Sequence, residues 1–74
     1  MAKQFATVFV SWRDARRGRP GLFSGDADYH QAAAQALEAK LNDLALEGWI
    51  VEDIIQAPGL TARQVSAYTI IVFK

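Results

Sequence analysis

The sequence LEAKLNDLALEGWIVEDII, which runs from Leu37 to Ile55, decides the fold of this 74-residue chain. Leu37, Leu41 and Leu44 fall on one stripe of a helical wheel, as the buried side of a helix should. Gly48 follows at the position where helices often end in a left-handed backbone, which glycine adopts without strain. A strand-like run begins directly after it. The stretch therefore predicts the end of a helix, a glycine stop and the start of a strand.

Trp49 has a structural explanation at this junction. If Gly48 is the left-handed residue, a Schellman ending brings Trp49 onto the last helical turn, beside Leu44. The alternative interpretation makes Trp49 a stacking platform for a planar ligand. Leu46 lies opposite Leu37 on the wheel, and the sequence leaves open whether it is incidental or belongs to an interface.

The composition indicates one small domain, residues 1–74. A chain of this length buries only about 60% of its unfolded surface, so its core is marginal when it is alone. Cysteine is absent, which removes disulfides and thiol nucleophiles, and 51% of the residues are hydrophobic. Small chains without such cross-links often gain stability by self-association. Because no apolar run approaches ~20 residues and no signal-peptide pattern is present, we expect a cytoplasmic protein without a membrane span.

Hydrophobic periodicity predicts the order strand, helix, strand, strand. The predicted elements are Gln4–Trp12, Asp26–Glu47, Trp49–Gln56 and Val65–Phe73. Ser24 or Asp26 can cap the helix, and Pro58-Gly59 supplies a turn before the last strand. At ~3.3 Å per residue the first and third strands would each span roughly 30 Å, which matches the helix. The last strand is the most apolar, so we place it centrally in an α+β fold whose antiparallel or mixed sheet has the order 1-3-2.

The first and third strands are apolar on both faces, but one helix covers only one face of a sheet. The other face should be buried against something. We therefore predict a homodimer or larger homo-oligomer that forms through this face. The predicted interface residues are Phe5, Thr7, Phe9, Ile71 and Phe73.

Charge is unevenly distributed although the formal net charge is zero. Residues 1–25 carry a net charge of +4 and residues 26–56 a net charge of −6. Residues 13–25 form a predicted loop, rich in arginine and glycine, of a length that is uncommon in compact domains and often functional. The loop either pairs with acidic residues of a neighbour or contacts a protein or a phosphate-bearing ligand. Its candidate contact residues are Arg13, Arg16, Arg17 and Arg19.

Within this loop, Arg17-Gly18-Arg19-Pro20 resembles the core of an AT-hook, an element that lies in the minor groove of A·T-rich DNA. The basic residues that normally follow are replaced by Gly21, Leu22 and Phe23. DNA binding is therefore our third hypothesis, and we do not expect nucleic acid to be the main partner.

Patterns for catalysis and metal binding are scarce. His30 is the one histidine, so any nucleophilic triad would need it. Asp26, Asp28 and His30 diverge around a helix, which argues against a metal site. Glu52 and Asp53 point to opposite faces of a strand and cannot act as an acid–base pair. We therefore predict a non-enzymatic protein without a metal or cofactor.

The run from Leu41 to Trp49, followed by two strands, resembles a family of short uncharacterised bacterial and phage proteins. Its members share a strand, a helix that ends in Leu-Asn-x-Leu-Gly-x-Glu-Gly-Trp-Glu, and two further strands. Ala45 and Ile50 stand where that family has glycine and glutamate, and the long arginine loop is atypical of it. The family has no assigned activity. The resemblance implies a fold and a bacterial or phage origin, and our main functional hypothesis is a small self-associating binding or regulatory protein.

The element order is also similar to that of the dodecins, flavin-binding dodecamers in which a tryptophan near the start of the second strand stacks on the flavin. The resemblance implies that Trp49 takes this place, with Tyr68 of the third strand at a similar separation. Thr69 stands near the position of the glutamine that dodecins use beside the ring. Binding of flavin or another planar ligand is therefore the alternative function.

Overall fold

In a computed structural model, the described residues are 3–16, 19–21 and 24–74. They form an α+β fold with three strands, one long helix, one short helix and a 3-10 turn. The elements are β1 (Phe5–Ser11), the turn (Trp12–Asp14), α1 (Asp26–Leu46), β2 (Ile50–Gln56), α2 (Ala62–Val65) and β3 (Ala67–Phe73). The sheet has the order β1-β3-β2, with β3 antiparallel to both neighbours. The predicted fold class and strand order are confirmed.

The central strand β3 aligns its two neighbours row by row. Ile70 pairs with Val8 of β1 and with Ile54 of β2. The register along β2 shifts between Val51 and Asp53, which marks a bulge. Because residues paired across strands share a face, this register assigns each side chain of the sheet to one side or the other.

Helix α1 covers one face of the sheet and makes the core with it. Val10, Ile70 and Val72 are at most 1% exposed. Small and aliphatic side chains of α1 complete the core: Ala32, Ala33, Ala36 and Leu44. On a helical wheel Ala34 falls on the same stripe as Leu37, which predicts burial, but it is exposed. The alanines let the helix backbone approach the sheet closely, so the first half of α1 is held by small residues rather than by leucines.

The end of α1 confirms the sequence prediction in detail. Gly48 has φ of +87°, in the left-handed region. The N–H of Trp49 donates to the carbonyl of Leu44 at 3.0 Å, and the N–H of Gly48 donates to the carbonyl of Ala45 at 3.1 Å. These two bonds define a Schellman motif. Trp49 is half-buried and packs against the core, as expected.

The start of α1 differs from the prediction. Gly25, rather than Ser24 or Asp26, is the N-cap residue. The carboxylate of Asp28 accepts the N–H of Gly25 at 3.2 Å, so the third helical residue supplies the cap. The hydroxyl of Ser24 instead accepts the N–H of Gly21 at 2.7 Å.

Two local caps shorten β1 and β3 relative to the prediction. Asp14 accepts the N–H of Ser11 at 2.8 Å, which turns residues 12–14 into a 3-10 turn where a continued strand and a loop were expected. Thr61 and Gln64 form a capping box that starts α2, so β3 begins at Ala67 instead of Val65. Seven residues span about 23 Å of strand, whereas the 21 residues of α1 span about 32 Å, so the expected match in length was wrong.

Candidate functional site

The face of the sheet that α1 does not cover, called the open face below, collects the predicted interface. Residues of β1 and β3 that alternate with the core positions point to this side. Phe9 is 64% exposed and Phe5 is 60% exposed. The open face consists of Phe5, Thr7, Phe9, Ile50, Asp53, Ile55, Thr69, Ile71 and Phe73. It therefore brings all five predicted interface residues together and adds Thr69 of β3 and three residues of β2.

Three cross-strand rows build the open face. In order β1, β3, β2, the rows are Phe5–Phe73–Ile50, Thr7–Ile71–Asp53 and Phe9–Thr69–Ile55. The rings of Phe5 and Phe73 lie 5.9 Å apart, and Nζ of Lys3 lies 4.6 Å from the centroid of Phe73. The rows make a continuous apolar surface whose one carboxylate, that of Asp53, lies at the β2 margin.

Strand β2 is exposed on both of its faces, which the sequence analysis did not anticipate. All seven of its residues are exposed. Val51 and Ile54 lie on the helix side of the sheet but are 40% and 38% exposed, because α1 lies over β1 and leaves β2 largely uncovered. Aliphatic residues in both alternating sets of β2 favour burial on both faces, so the sequence carries no signal for this exposure.

The first turn after β1 places two guanidinium groups around one indole ring. Trp12 is nearly buried, and its indole N–H donates to the carbonyl of Arg63 at 3.2 Å. The ring of Tyr29 meets it edge-on at 5.0 Å. The guanidinium carbons of Arg13 and Arg63 lie 5.0 Å and 5.6 Å from the Trp12 ring centroid. Arg63 was missed from the sequence because it lies 51 residues from Trp12 and is brought there by α2.

Among the described residues, the other candidate arginines make no contact with the Trp12 ring. Arg16 is exposed and lines a cleft beside Lys40 and Asp43. Arg19 is exposed. Arg17 lies outside the described residues, as does Gly18, so the AT-hook-like segment is only partly covered by the structure.

Trp49 and Tyr68 lie at opposite ends of the sheet. Trp49 precedes Ile50, which pairs with Phe73, whereas Tyr68 pairs with Gln56 at the far end of β2. Five residues of β3 separate the two levels, a distance of about 17 Å. Nζ of Lys74 lies 4.4 Å from the centroid of Trp49 and covers one of its faces. Within one chain, a single planar ligand therefore cannot touch both aromatic residues.

The histidine that a catalytic triad would need contacts a serine. Nδ1 of His30 lies 3.3 Å from Oγ of Ser66. Ser66 is fully buried, so a substrate cannot reach its hydroxyl, and the pair instead ties α1 to the start of β3. Among the described residues, no three acidic or histidine side chains converge as metal ligands would. The same part of the chain contains no helix with the length and apolar character that crossing a membrane requires.

Comparisons with known proteins do not assign the chain to a family. It has no significant match among protein-family models, curated proteins or solved structures. The resemblances to the uncharacterised bacterial and phage family and to the dodecins therefore stay predictions.

Proposed function

We propose that this chain is a non-enzymatic binding or regulatory module whose copies associate through the open face. The observation that carries the proposal is the continuous apolar surface of that face. Phe5 and Phe9 are more than half exposed, and Ile50 and Ile55 are 56% and 49% exposed. Soluble monomers rarely expose a large contiguous apolar patch, and such patches mark interaction sites.

The shape of the chain supports the same proposal. The radius of gyration is 13.4 Å, whereas a compact domain of this length has about 11 Å. The extents of 50 × 24 × 12 Å describe a thin, two-layered plate. A second copy stacked on the open face at ~10 Å would turn two half-covered sheets into a sandwich covered by helices on both sides.

The arginines around Trp12 supply the contact surface for a partner of the assembly. Arg13 and Arg63 place two cations on one aromatic surface that does not belong to the open face. Guanidinium groups bind carboxylates and phosphates through paired hydrogen bonds. Each copy in an assembly would carry this surface, so partner binding would gain from multivalency.

Ile55→Lys tests the open face directly. Ile55 ends the Phe9–Thr69–Ile55 row of the open face. A lysine there would bring a charge into a stacked apolar interface, so we expect the variant to lose the association that this face provides. Leu60→Lys is the matched control, because it introduces the same charge outside the open face. Leu60 is fully exposed and lies in the connection between β2 and α2. Native mass spectrometry and sedimentation velocity over the micromolar range measure the stoichiometry.

A parent protein that stays monomeric throughout this range would overturn the proposal. Ile55→Lys with the stoichiometry of the parent protein would do the same. Circular dichroism of the variant distinguishes a dissociated folded chain from an unfolded one.

A further inference from the structure

A groove runs between α1 and the outer edge of β1. Its two halves have cavity volumes of about 470 Å³ and 240 Å³ and share Lys40 and Asp43, so these two residues lie at its middle. The first half is lined by Val8, Leu44, Leu46 and Glu47, and the second by Phe9, Val10, Asp14, Arg16, Ala36 and Ala39. The groove therefore has a mixed lining, with charged side chains at its middle and toward both ends, and a strand edge as one wall.

That strand edge offers hydrogen-bonding groups of the backbone. Gln4 and Lys74 exchange both of their backbone N–H···O bonds, at 2.8 Å and 3.0 Å. Because such pairs alternate along an antiparallel ladder, the even-numbered residues of β1 bond to β3, whereas Thr7 and Phe9 direct their N–H and C=O groups outward. In the part of the chain that the structure describes, β1 pairs with no strand on this side.

We propose that this groove receives β1 of a second copy, which pairs antiparallel with β1 of the first about a twofold axis. The result is one continuous sheet of six strands, three from each copy. A twofold interface requires a surface that is complementary to itself. This is a different surface from the open face, so the inference does not depend on the proposed function.

The charges at the middle of the groove satisfy this requirement. Antiparallel β1 strands bring the two α1 helices side by side and antiparallel. Lys40 and Asp43 lie one helical turn apart at the middle of the groove, so a twofold axis that passes between them sets each Lys40 opposite the partner's Asp43, twice in one dimer. The same packing gives a neighbour to Leu46, which is 87% exposed although it lines the groove.

The other edge of the sheet is unsuited to such pairing. Strand β2 carries Glu52 and Asp53 side by side and has its bulge there. Two copies of β2 would bring these carboxylates together, and charges and bulges are the means by which proteins protect edge strands. By contrast, β1 contains no charged residue between Phe5 and Ser11.

Charge exchange tests the proposal. The background is Ile55→Lys, which removes association through the open face and leaves the groove intact. We expect this protein to be a dimer. Adding Lys40→Asp should weaken the dimer at least about tenfold, because two attractive contacts become repulsive. Adding Asp43→Lys as well should restore the dimer, since the two charges have then exchanged places and both contacts between the copies are attractive again.

The amide of Thr7 supplies an independent measurement. Its hydrogen exchange should be slow in the dimer and fast when Lys40→Asp dissociates it, while the amide of Ile70 in the central strand stays protected in both. Leu46→Lys should weaken the dimer as well. Thermal unfolding by circular dichroism verifies that each variant remains folded.

The outcomes separate the two interfaces. An Ile55→Lys protein that is monomeric overturns the edge pairing and leaves the open face as the interface. A dimer whose dissociation constant is unchanged by Lys40→Asp also overturns the edge pairing. So does a dimer that is not restored when Asp43→Lys is added to Lys40→Asp. If the parent protein and Ile55→Lys are both dimers that respond to the charge exchange, the edge pairing stands and the open-face proposal fails.

Discussion

The two edge strands of the sheet, β1 and β2, have the same length and the same central neighbour but very different surroundings. Both contain seven residues and both pair antiparallel with β3. In β1 the burial rises toward the 3-10 turn, and Val10 is 1% exposed. In β2 every residue is exposed. The position of α1 causes this difference, because the helix lies over β1 and the 3-10 turn and only touches β2.

The two strands also differ in how their free edges are protected. Strand β1 is uncharged and has a groove at its side, whereas β2 has two carboxylates and a bulge. An edge strand with neither charge nor bulge favours pairing with another strand, and an edge strand with both opposes it. Burial of a strand and protection of its edge are therefore separate properties: the better-buried strand has the less protected edge.

The largest difference between β1 and β2 is expected in the loss of unfolding free energy when a side chain on the helix side is truncated. Val10→Ala should lower the free energy of unfolding by about 2–3 kcal/mol, since it removes two buried methyl groups and leaves a cavity. Ile54→Ala in β2, which removes more atoms from a side chain that is 38% exposed, should cost less than about 1 kcal/mol. Urea denaturation at equal protein concentration measures both. Equal losses would mean that β2 is as covered as β1.

The next largest loss of stability is expected at Gly48, between α1 and β2. Gly48→Ala should cost about 1–2 kcal/mol, because φ of +87° strains any residue that has a side chain. No atom lies within 4 Å of the added carbon, so the cost is one of backbone conformation rather than of collision. Gly21→Ala is the control, with an expected change within about 0.5 kcal/mol. Thermal unfolding that fails to separate the two variants would contradict this account of the junction.

A smaller loss of stability is expected in the connection between β2 and β3, which contains α2. The hydroxyl of Thr61 accepts the N–H of Gln64 at 3.2 Å and caps α2. Thr61→Ala should cost about 1 kcal/mol, and Thr61→Ser should restore most of that loss. Hydrogen exchange at Ala57, whose N–H bonds to the carbonyl of Ala67 at 2.9 Å, shows whether the loosening reaches the end of β2. No difference between alanine and serine would exclude the cap as the cause.

The smallest effect on stability is expected from neutralising the edge of β2. The double variant Glu52→Gln with Asp53→Asn should change the free energy of unfolding by less than about 0.5 kcal/mol, since both side chains are exposed. It should nevertheless increase aggregation, because the edge loses its charges.

Light scattering during incubation at micromolar concentration measures this aggregation. Glu38→Gln with Asp26→Asn removes the same charge from α1 and is the control. Equal scattering by the two double variants would show that net charge, rather than the β2 edge, controls solubility.

The candidate interface could be predicted in part because strand alternation has a period of two. That period alone assigns Phe5, Thr7 and Phe9 to one face, opposite Val8 and Val10. The share of β2 in the open face could not be predicted, because it depends on which strands the helix covers. Arg63 beside Trp12 was missed, and the surroundings of Leu46 were left open, for a similar reason: residues distant in sequence define both.

The sequence by itself determined the features that neighbouring residues decide. The end of α1 follows from Leu44, Gly48 and Trp49, since a Schellman motif is closed by hydrogen bonds within six residues. The central place of β3 follows from its apolar residues on both faces. Only the tertiary structure decided which face α1 covers, that β2 stays exposed and that a groove opens beside β1. These depend on the lateral position of a helix over the sheet, which is fixed by the packing of small residues rather than by any local pattern.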